Sequence, residues 1–259
     1  MAREIILDGL DLQSGDFRIT GAPDIFSAPP KEIKTVDLAR EDGSVVVFER
    51  YLPKDAGLTG YINTNDEMSA DLALDTLKRY AGRKGLELKV GYAGGYRIWA
   101  VEVETVIVSR GASDLSYIPF TIKIKAAKPF ATDGSEDTMV DEAGVTTASK
   151  TVGVNNAGTY LAIPEIVITV NAINPNNADV TISISNPSTQ ETISFTDTFV
   201  ATDVITVDCV NKLVFHNSTS IPATGLFPSW EPDSGTFEYS DTATTRDIDI
   251  MATYDKRYL

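Results

Sequence analysis

Side chains that carry covalent and metal chemistry are scarce in this sequence. Its 259 residues include one cysteine, Cys209, and one histidine, His216. A single thiol excludes an intramolecular disulfide or a cysteine-rich zinc site, and a single imidazole excludes multi-histidine ligation. No apolar run approaches the roughly 20 residues that a membrane-spanning helix needs. The opening Met1-Ala-Arg-Glu-Ile-Ile-Leu-Asp-Gly lacks the apolar stretch and cleavage site of a secretory signal. The expectation is an acidic protein made in a reducing compartment, without membrane insertion.

Basic residues are also few, and they are unevenly placed. The net charge is −15. Residues 1–130 hold 17 Lys and Arg against 19 Asp and Glu, whereas residues 131–259 hold 5 against 18. Such a step suggests two units with different surroundings. It also counts against sequence-specific nucleic-acid binding, which needs a basic footprint on the phosphates. The basic clusters are Lys78-Arg79 and Arg83-Lys84. With 42% apolar and 23% charged residues, the chain can build a core and is not dominated by disorder.

What is present reads as mainly β with one amphipathic helix. Ala70, Ala73, Leu74, Leu77, Tyr80 and Ala81 follow the i, i+3, i+4, i+7 spacing of a helix over about 65–81. Thr64 and Glu67 form a capping-box pattern at its start, Gly82 is a stop signal, and Lys78-Arg79 suit the helix dipole. In Tyr96–Val108, Trp99, Val101, Val103 and Ile107 alternate with Glu102 and Glu104; in Tyr117–Ala126, Phe120, Ile122 and Ile124 alternate with Lys123 and Lys125. An antiparallel hairpin would face both apolar sets to one core and set glutamates against lysines on the polar face. Opposite charges across strands contribute about 0.2–1 kcal/mol per pair and matter most for register. Glu102, Glu104, Lys123 and Lys125 are therefore candidate interface residues.

The polar, acidic stretch Ala131–Lys150 reads as a linker between a first domain, 1–130, and a second, 151–259. Beyond it, Ile163–Val170, Val180–Ser185, Ile193–Phe199, Val204–Val210, Leu213–Asn217 and Ile248–Tyr254 alternate with period two between turn signals, as in a β-sandwich.

Chemistry finds little footing in these patterns. A hairpin turning at Asn211-Lys212 would put Cys209 and His216 on one face, one diagonal step or about 7–8 Å apart. A nucleophilic pair needs hydrogen-bond reach and a third orienting group. Ile205, Val207, Cys209 and Val214 read instead as a core stripe with His216 at its fraying edge. No carboxylate pair stands out as a glycosidase dyad. Glu136-Asp137 and Asp141-Glu142 lack the spacing of a calcium loop. Gly91-Tyr-Ala-Gly-Gly is a hairpin turn and misses the phosphate-loop patterns. Phe227, Trp230, Phe237 and Tyr239 admit a sugar-stacking reading, with Trp230 and Tyr239 as stacking candidates, beside a core-packing one.

An ordered series of blocks resembles the siphophage distal tail protein family. It comprises Ile6-Leu-Asp-Gly-Leu-Asp-Leu, Arg40-Glu-Asp-Gly-Ser-Val-Val, Leu58-Thr-Gly-Tyr-Ile and Leu77-Lys-Arg-Tyr-Ala-Gly-Arg-Lys-Gly. Gly95-Tyr-Arg-Ile-Trp-Ala-Val-Glu-Val and Pro119-Phe-Thr-Ile-Lys-Ile-Lys-Ala-Ala-Lys-Pro-Phe follow. In the second half the blocks are Asn186-Pro-Ser-Thr-Gln-Glu-Thr-Ile, Val204-Ile-Thr-Val-Asp-Cys-Val-Asn-Lys-Leu-Val, Leu226-Phe-Pro-Ser-Trp-Glu-Pro-Asp-Ser-Gly and the end Ile250-Met-Ala-Thr-Tyr-Asp-Lys-Arg-Tyr-Leu. The acidic insert near Glu136–Thr147 departs from the pattern.

The resemblance implies an N-terminal split-barrel-like, ring-forming domain and a C-terminal galectin-like β-sandwich. It implies a non-enzymatic virion component of the phage tail tip, assembled in the host cytoplasm. That component would be a homohexamer between the tail tube protein and a tail-associated, hub or fibre protein. A receptor-binding protein on the sandwich, DNA passing without specific binding and no cofactor complete the expectation. Two further readings are a host-glycan adhesin using the sandwich and a cell-wall hydrolase.

Overall fold

The computed structural model describes residues 3–37, 44–93, 95–111, 116–174 and 178–259. The block at Arg40–Gly43 lies outside them, as do Gly94 and part of the turn after Asn174. Two compact units divide the chain, Met1–Asp133 with Leu259, and Gly134–Tyr258.

Among the described residues, unit one contains nine strands and one α-helix. They run β1 (Ile5–Leu7), β2 (Leu10–Asp11), β3 (Phe17–Gly21), β4 (Lys31–Asp37), β5 (Ser44–Tyr51), β6 (Lys54–Asn63), α1 (Glu67–Tyr80), β7 (Leu86–Tyr92), β8 (Gly95–Val108) and β9 (Tyr117–Ala126). Seven strands form one antiparallel, nearly closed barrel-like sheet in the order β2-β1-β7-β8-β9-β6-β3. Its inner residues, among them Leu7, Leu58, Ile62, Leu88, Val101, Ile118 and Ile122, are buried to 2% exposure or less. Burial on this scale stabilises by roughly 1.5–3 kcal/mol per large side chain.

Helix α1 buries Ala70, Ala73, Leu74 and Leu77, the face its spacing predicts. Its cap differs from expectation. Asp66, not Thr64, is the N-cap, its Oδ1 accepting from the Ser69 N–H at 2.8 Å, while Thr64 Oγ1 donates to the Asp66 carbonyl. Aspartate serves better because its charge also meets the positive end of the helix dipole.

Strands β8 and β9 pair as the charge pattern requires, with Glu102 opposite Lys125 and Val103 opposite Ile124. Beyond that point a bulge between Val103 and Thr105 shifts the register. An extra residue reverses the alternation that follows. Ile107, expected in the core, is 49% exposed. Val106 and Val108 stand opposite the buried Ile122 and Phe120 instead.

Unit two is a sandwich of two antiparallel sheets. Its strands are β10 (Glu136–Val145), β11 (Ser149–Asn156), β12 (Glu165–Asn174), β13 (Asp179–Asn186), β14 (Glu191–Thr198), β15 (Val204–Asp208), β16 (Leu213–His216), β17 (Thr219–Ile221), β18 (Ala223–Gly225), β19 (Asp233–Asp241) and β20 (Thr245–Asp255). One sheet has the order β10-β20-β12-β15-β16-β17, the other β11-β19-β13-β14-β18. Ile166, Ile168, Ile182, Ile184, Ile205, Val207 and Ile250 fill the space between.

The stretch read as an acidic linker is structured. Strand β10 pairs along β20, and β11 pairs along β19 from Ser149. Two register shifts, at Thr138/Val140 and Glu142/Val145, place Met139, Val140 and Val145 inward without a simple alternation. Inward residues spaced one and five apart show no period, so the sequence pattern of this strand is that of its carboxylates.

With β10 held in a sheet, the exposed junction shrinks to the few residues around Gly134. Limited proteolysis should cut there and leave Glu136–Val145 intact in the C-terminal fragment, as mass spectrometry of the fragments will read. Early cleavage within β10 would contradict this pairing.

Candidate functional site

Strands β4 and β5 carry a cluster of exposed apolar side chains in unit one. They form a two-stranded sheet of their own. Ile33, Val36, Val45, Val46, Val47 and Phe48 are each between 41% and 59% exposed. The β-branched run Val45-Val46-Val47 favours extended backbone, and a bulge between Lys34 and Thr35 sets Val47 out of register. Ion pairs Lys31–Glu49 at 2.8 Å and Arg50–Glu32 at 2.8 Å cross the ribbon. An isolated hairpin is marginal in water, and exposed clusters of this kind mark contact surfaces.

The root of this arm is anchored by Lys54, which no local pattern in the sequence singles out. Lys54 is 6% exposed, and its Nζ donates to the carbonyls of Ile25 at 2.7 Å and Ser27 at 2.6 Å. Its ammonium lies 5.1 Å from the centroid of the Trp99 ring. Burial pulls the Lys54 pKa down, and Asp24 partly restores it. Leu52 N–H donates to the Pro30 carbonyl at 2.8 Å, and Tyr51 packs edge-on to Phe130 at 5.3 Å. The arm therefore leaves the barrel sheet from a fixed base.

The four candidate interface residues all stand exposed on the polar face of β8 and β9. Lys125 Nζ lies 3.9 Å from Glu104 and 3.7 Å from Asp55. Glu102 accepts the Gly85 N–H at 3.0 Å. Lys123 lines an open hollow of about 380 Å³ with Asp24, Asp55 and Glu104.

In unit two, Trp230 and Tyr239 are 1% exposed. Trp230 stacks on Phe237 at 5.9 Å and donates Nε1–H to the Thr236 carbonyl, while the Tyr239 hydroxyl donates to Asp241. No ring face is open to a sugar, so both are core residues.

Cys209 and His216 are also apart. His216 stands opposite Ile205, and Leu213 opposite Asp208. Four residues of strand separate them, roughly 13 Å. A diagonal pair needs a turn centred on Asn211-Lys212, whereas the observed pairing centres it one residue earlier, between Val210 and Asn211. Cys209 is buried, and desolvation pushes its thiol up to about 12. His216 is not at a frayed edge. Its Nδ1 is 2.9 Å from Asp197 Oδ2 on the opposite sheet, and its Nε2 is 2.9 Å from Asp203 Oδ2. Asp203 is itself held by the Val200 N–H at 2.7 Å and the Asn217 amide at 2.6 Å. Burial alone would lower the His216 pKa, but the contacts with Asp197 and Asp203 outweigh it and raise it. Burial would raise the Asp203 pKa, but its hydrogen bonds and His216 bring it below the usual range.

No protein-family model matches the chain, and no curated protein matches it in sequence. Solved structures do. The chain superposes on the SPP1 Dit protein (gp 19.1), described as a paradigm of the hub adsorption apparatus in phages infecting Gram-positive bacteria, with a TM-score of 0.70 and 16% identity over 100% of both chains. The chain has the fold of SPP1 Dit. A protein of the phage P2 baseplate in its activated conformation with calcium aligns over 98% of both chains at 10% identity, with a TM-score of 0.47. Full-length superposition on the Dit fold takes in the barrel-like sheet, helix α1 and the sandwich alike.

Two tests follow from the side chains of unit two. Trp230→Ala should cost about 3–5 kcal/mol of stability as a core deletion, measured by chemical denaturation. Because His216 carries a raised pKa, its contribution is complete below about pH 6.5 and fades as pH rises through the folded value. Asp203 acts with the opposite sign, losing its contribution as pH falls below about 3.8 through its lowered value. Stability should therefore plateau between about pH 4 and 6.5 and decline above it, a decline His216→Gln should flatten. An unchanged slope in that variant would show that other groups set it.

Proposed function

We propose that this protein is a structural hub of a long-tailed, non-contractile phage tail tip. In this reading six copies form a ring that joins the tail tube to tail-associated and receptor-binding proteins and lets DNA pass. The observation that carries it is the β4–β5 arm, whose exposed valines and phenylalanine need a second protein surface. A further copy of the chain is the occupant proposed, since the arm leaves a rigid base and repeats in every subunit. The Dit fold over the whole chain supports the same reading.

The charged face of β8 and β9 is a second proposed contact. Lys125 already pairs with Glu104 and Asp55 within its own sheet, so a neighbouring subunit would have to re-pair it rather than neutralise bare charge. The glycan-adhesin reading loses its stacking residues to the core, and the proposed role requires no catalytic step. Virion assembly in the host cytoplasm is part of the proposal.

Native mass spectrometry should give six times the mass of the chain, and images should be annular. Val46→Asp with Val47→Asp should leave a folded monomer, because exposed substitutions usually change stability by less than about 0.5 kcal/mol, but should abolish the ring. Rings that form unchanged would remove the arm from the contact. Lys123→Glu with Lys125→Glu tests the charged face in the same way.

The lumen is proposed to carry no net positive surface, since Arg83 pairs with Asp8 at 3.2 Å and Lys78 with Asp75 at 3.8 Å. Assembled rings should not retain double-stranded DNA at low salt. Tight, salt-sensitive retention would overturn that part.

A further inference from the structure

The two outward faces of the sandwich differ in chemistry. On the five-stranded sheet, Ser149, Ser240, Ser183, Ser194 and Thr224 stand in one row across all five strands. Several hydroxyls on this face pair with polar neighbours in their own sheet. Ser183 and Ser194 are 2.8 Å apart, Thr181 and Thr196 in the next row 2.7 Å, and Ser185 donates to Glu238 at 3.2 Å. Leu226, the large exposed apolar residue nearby, follows β18 at the edge. Such a face offers a partner little apolar area and few unspent donors.

The six-stranded sheet presents the opposite. Asp141, Met251, Val167, Thr206, Phe215 and Ser220 form a continuous row across it. Val204 and Leu213 flank this row, and Val204, Leu213 and Met251 are 38%, 42% and 46% exposed. At one end the face opens into a hollow of about 250 Å³ bordered by Glu136, Glu165, Asp208 and Asp255, with Val210 52% exposed at its rim. No lysine or arginine stands in the paired rows of this outer face. Lys256 is already engaged by Asp137 at 3.4 Å.

We infer that the outer face of the six-stranded sheet is a docking surface for a protein that presents lysine or arginine around an apolar centre. The apolar row supplies the desolvated middle, and the carboxylate hollow takes a basic side chain at its margin. Like charge argues against three other occupants: a second copy of the same face, an anionic membrane and nucleic acid. The inference does not rest on the hub reading, because it concerns one face of one chain whether or not copies assemble.

The test uses the full chain with labelled methionine, leucine, isoleucine and valine methyl groups. The probes are two synthetic peptides, one alternating leucine with lysine and the other leucine with glutamate. The lysine peptide should shift the Met251, Val167, Val204 and Leu213 methyls in a saturable way, and the glutamate peptide should not. Added salt of about 0.5 M should weaken the shifts by screening the carboxylates. Glu136→Gln with Glu165→Gln should weaken binding roughly two- to thirtyfold, the range for two exposed charge pairs. Met251→Ser with Phe215→Ser should abolish binding while the core methyl spectrum stays native.

Three results would overturn the inference. One is equal shifts at Leu226, or at Met68 and Leu72 on α1, which are 81% and 65% exposed and report general attraction to an acidic protein. Another is equal binding of both peptides. The third is shifts at the same methyls that depend on protein concentration alone, which would make a second copy the occupant. Any of these leaves ring assembly untouched, since mass and images read that separately.

Discussion

Antiparallel pairing gives each strand one face to bury, and the bulges decide which residues that face receives. Register shifts in β3, β5, β8, β10 and β12 each advance one strand relative to its partner. After the shift in β8, Val106 and Val108 take the inward positions and Ile107 the outward one. In β10 two shifts turn a run of carboxylates into an edge strand that still contributes Met139, Val140 and Val145 to the core. In β10 the insertions keep Asp141 exposed between the inward Met139 and Val145, where a strict period of two would bury its charge.

That dependence also explains how far the sequence could be read. Strands with clean alternation, such as β12, β13, β14 and β20, lie close to where period two places them. Helix α1 was legible from its four inward residues, although its cap sits two residues after Thr64. Strands β11 and β19 were not, since Ser, Thr and Gly dominate their outward faces and Pro232-Asp-Ser-Gly resembles a turn. Lys54 gave no local signal, because its acceptors lie in Ile25 and Ser27, far along the chain. The buried rings of Trp230 and Tyr239 were indistinguishable in sequence from exposed ones. The arm showed its valines but not their exposure, which follows from its lack of a third strand.

Charge is distributed along the same division. Unit one balances its ions within short reach, as at Lys125, Lys31 and Arg83. Unit two leaves most of its carboxylates outward and spends its few bases on structure. Arg246, 8% exposed, pairs with Asp241 at 2.9 Å, and a broken pair at that depth would strand a charge away from water. His216 ties the two sheets together through Asp197 and Asp203. Basic side chains thus hold the sandwich closed while its surface stays acidic.

One edge of each sheet ends in a three-residue strand, β17 (Thr219–Ile221) or β18 (Ala223–Gly225), while the opposite edges, β10 and β11, are longer. Gly225 sits at a φ of +106°, where a Cβ would fall 2.1 Å from the Thr192 carbonyl oxygen. So short and bent an edge gives an incoming chain few amides to copy. That side of the sandwich therefore resists edge-to-edge zipping with another sheet.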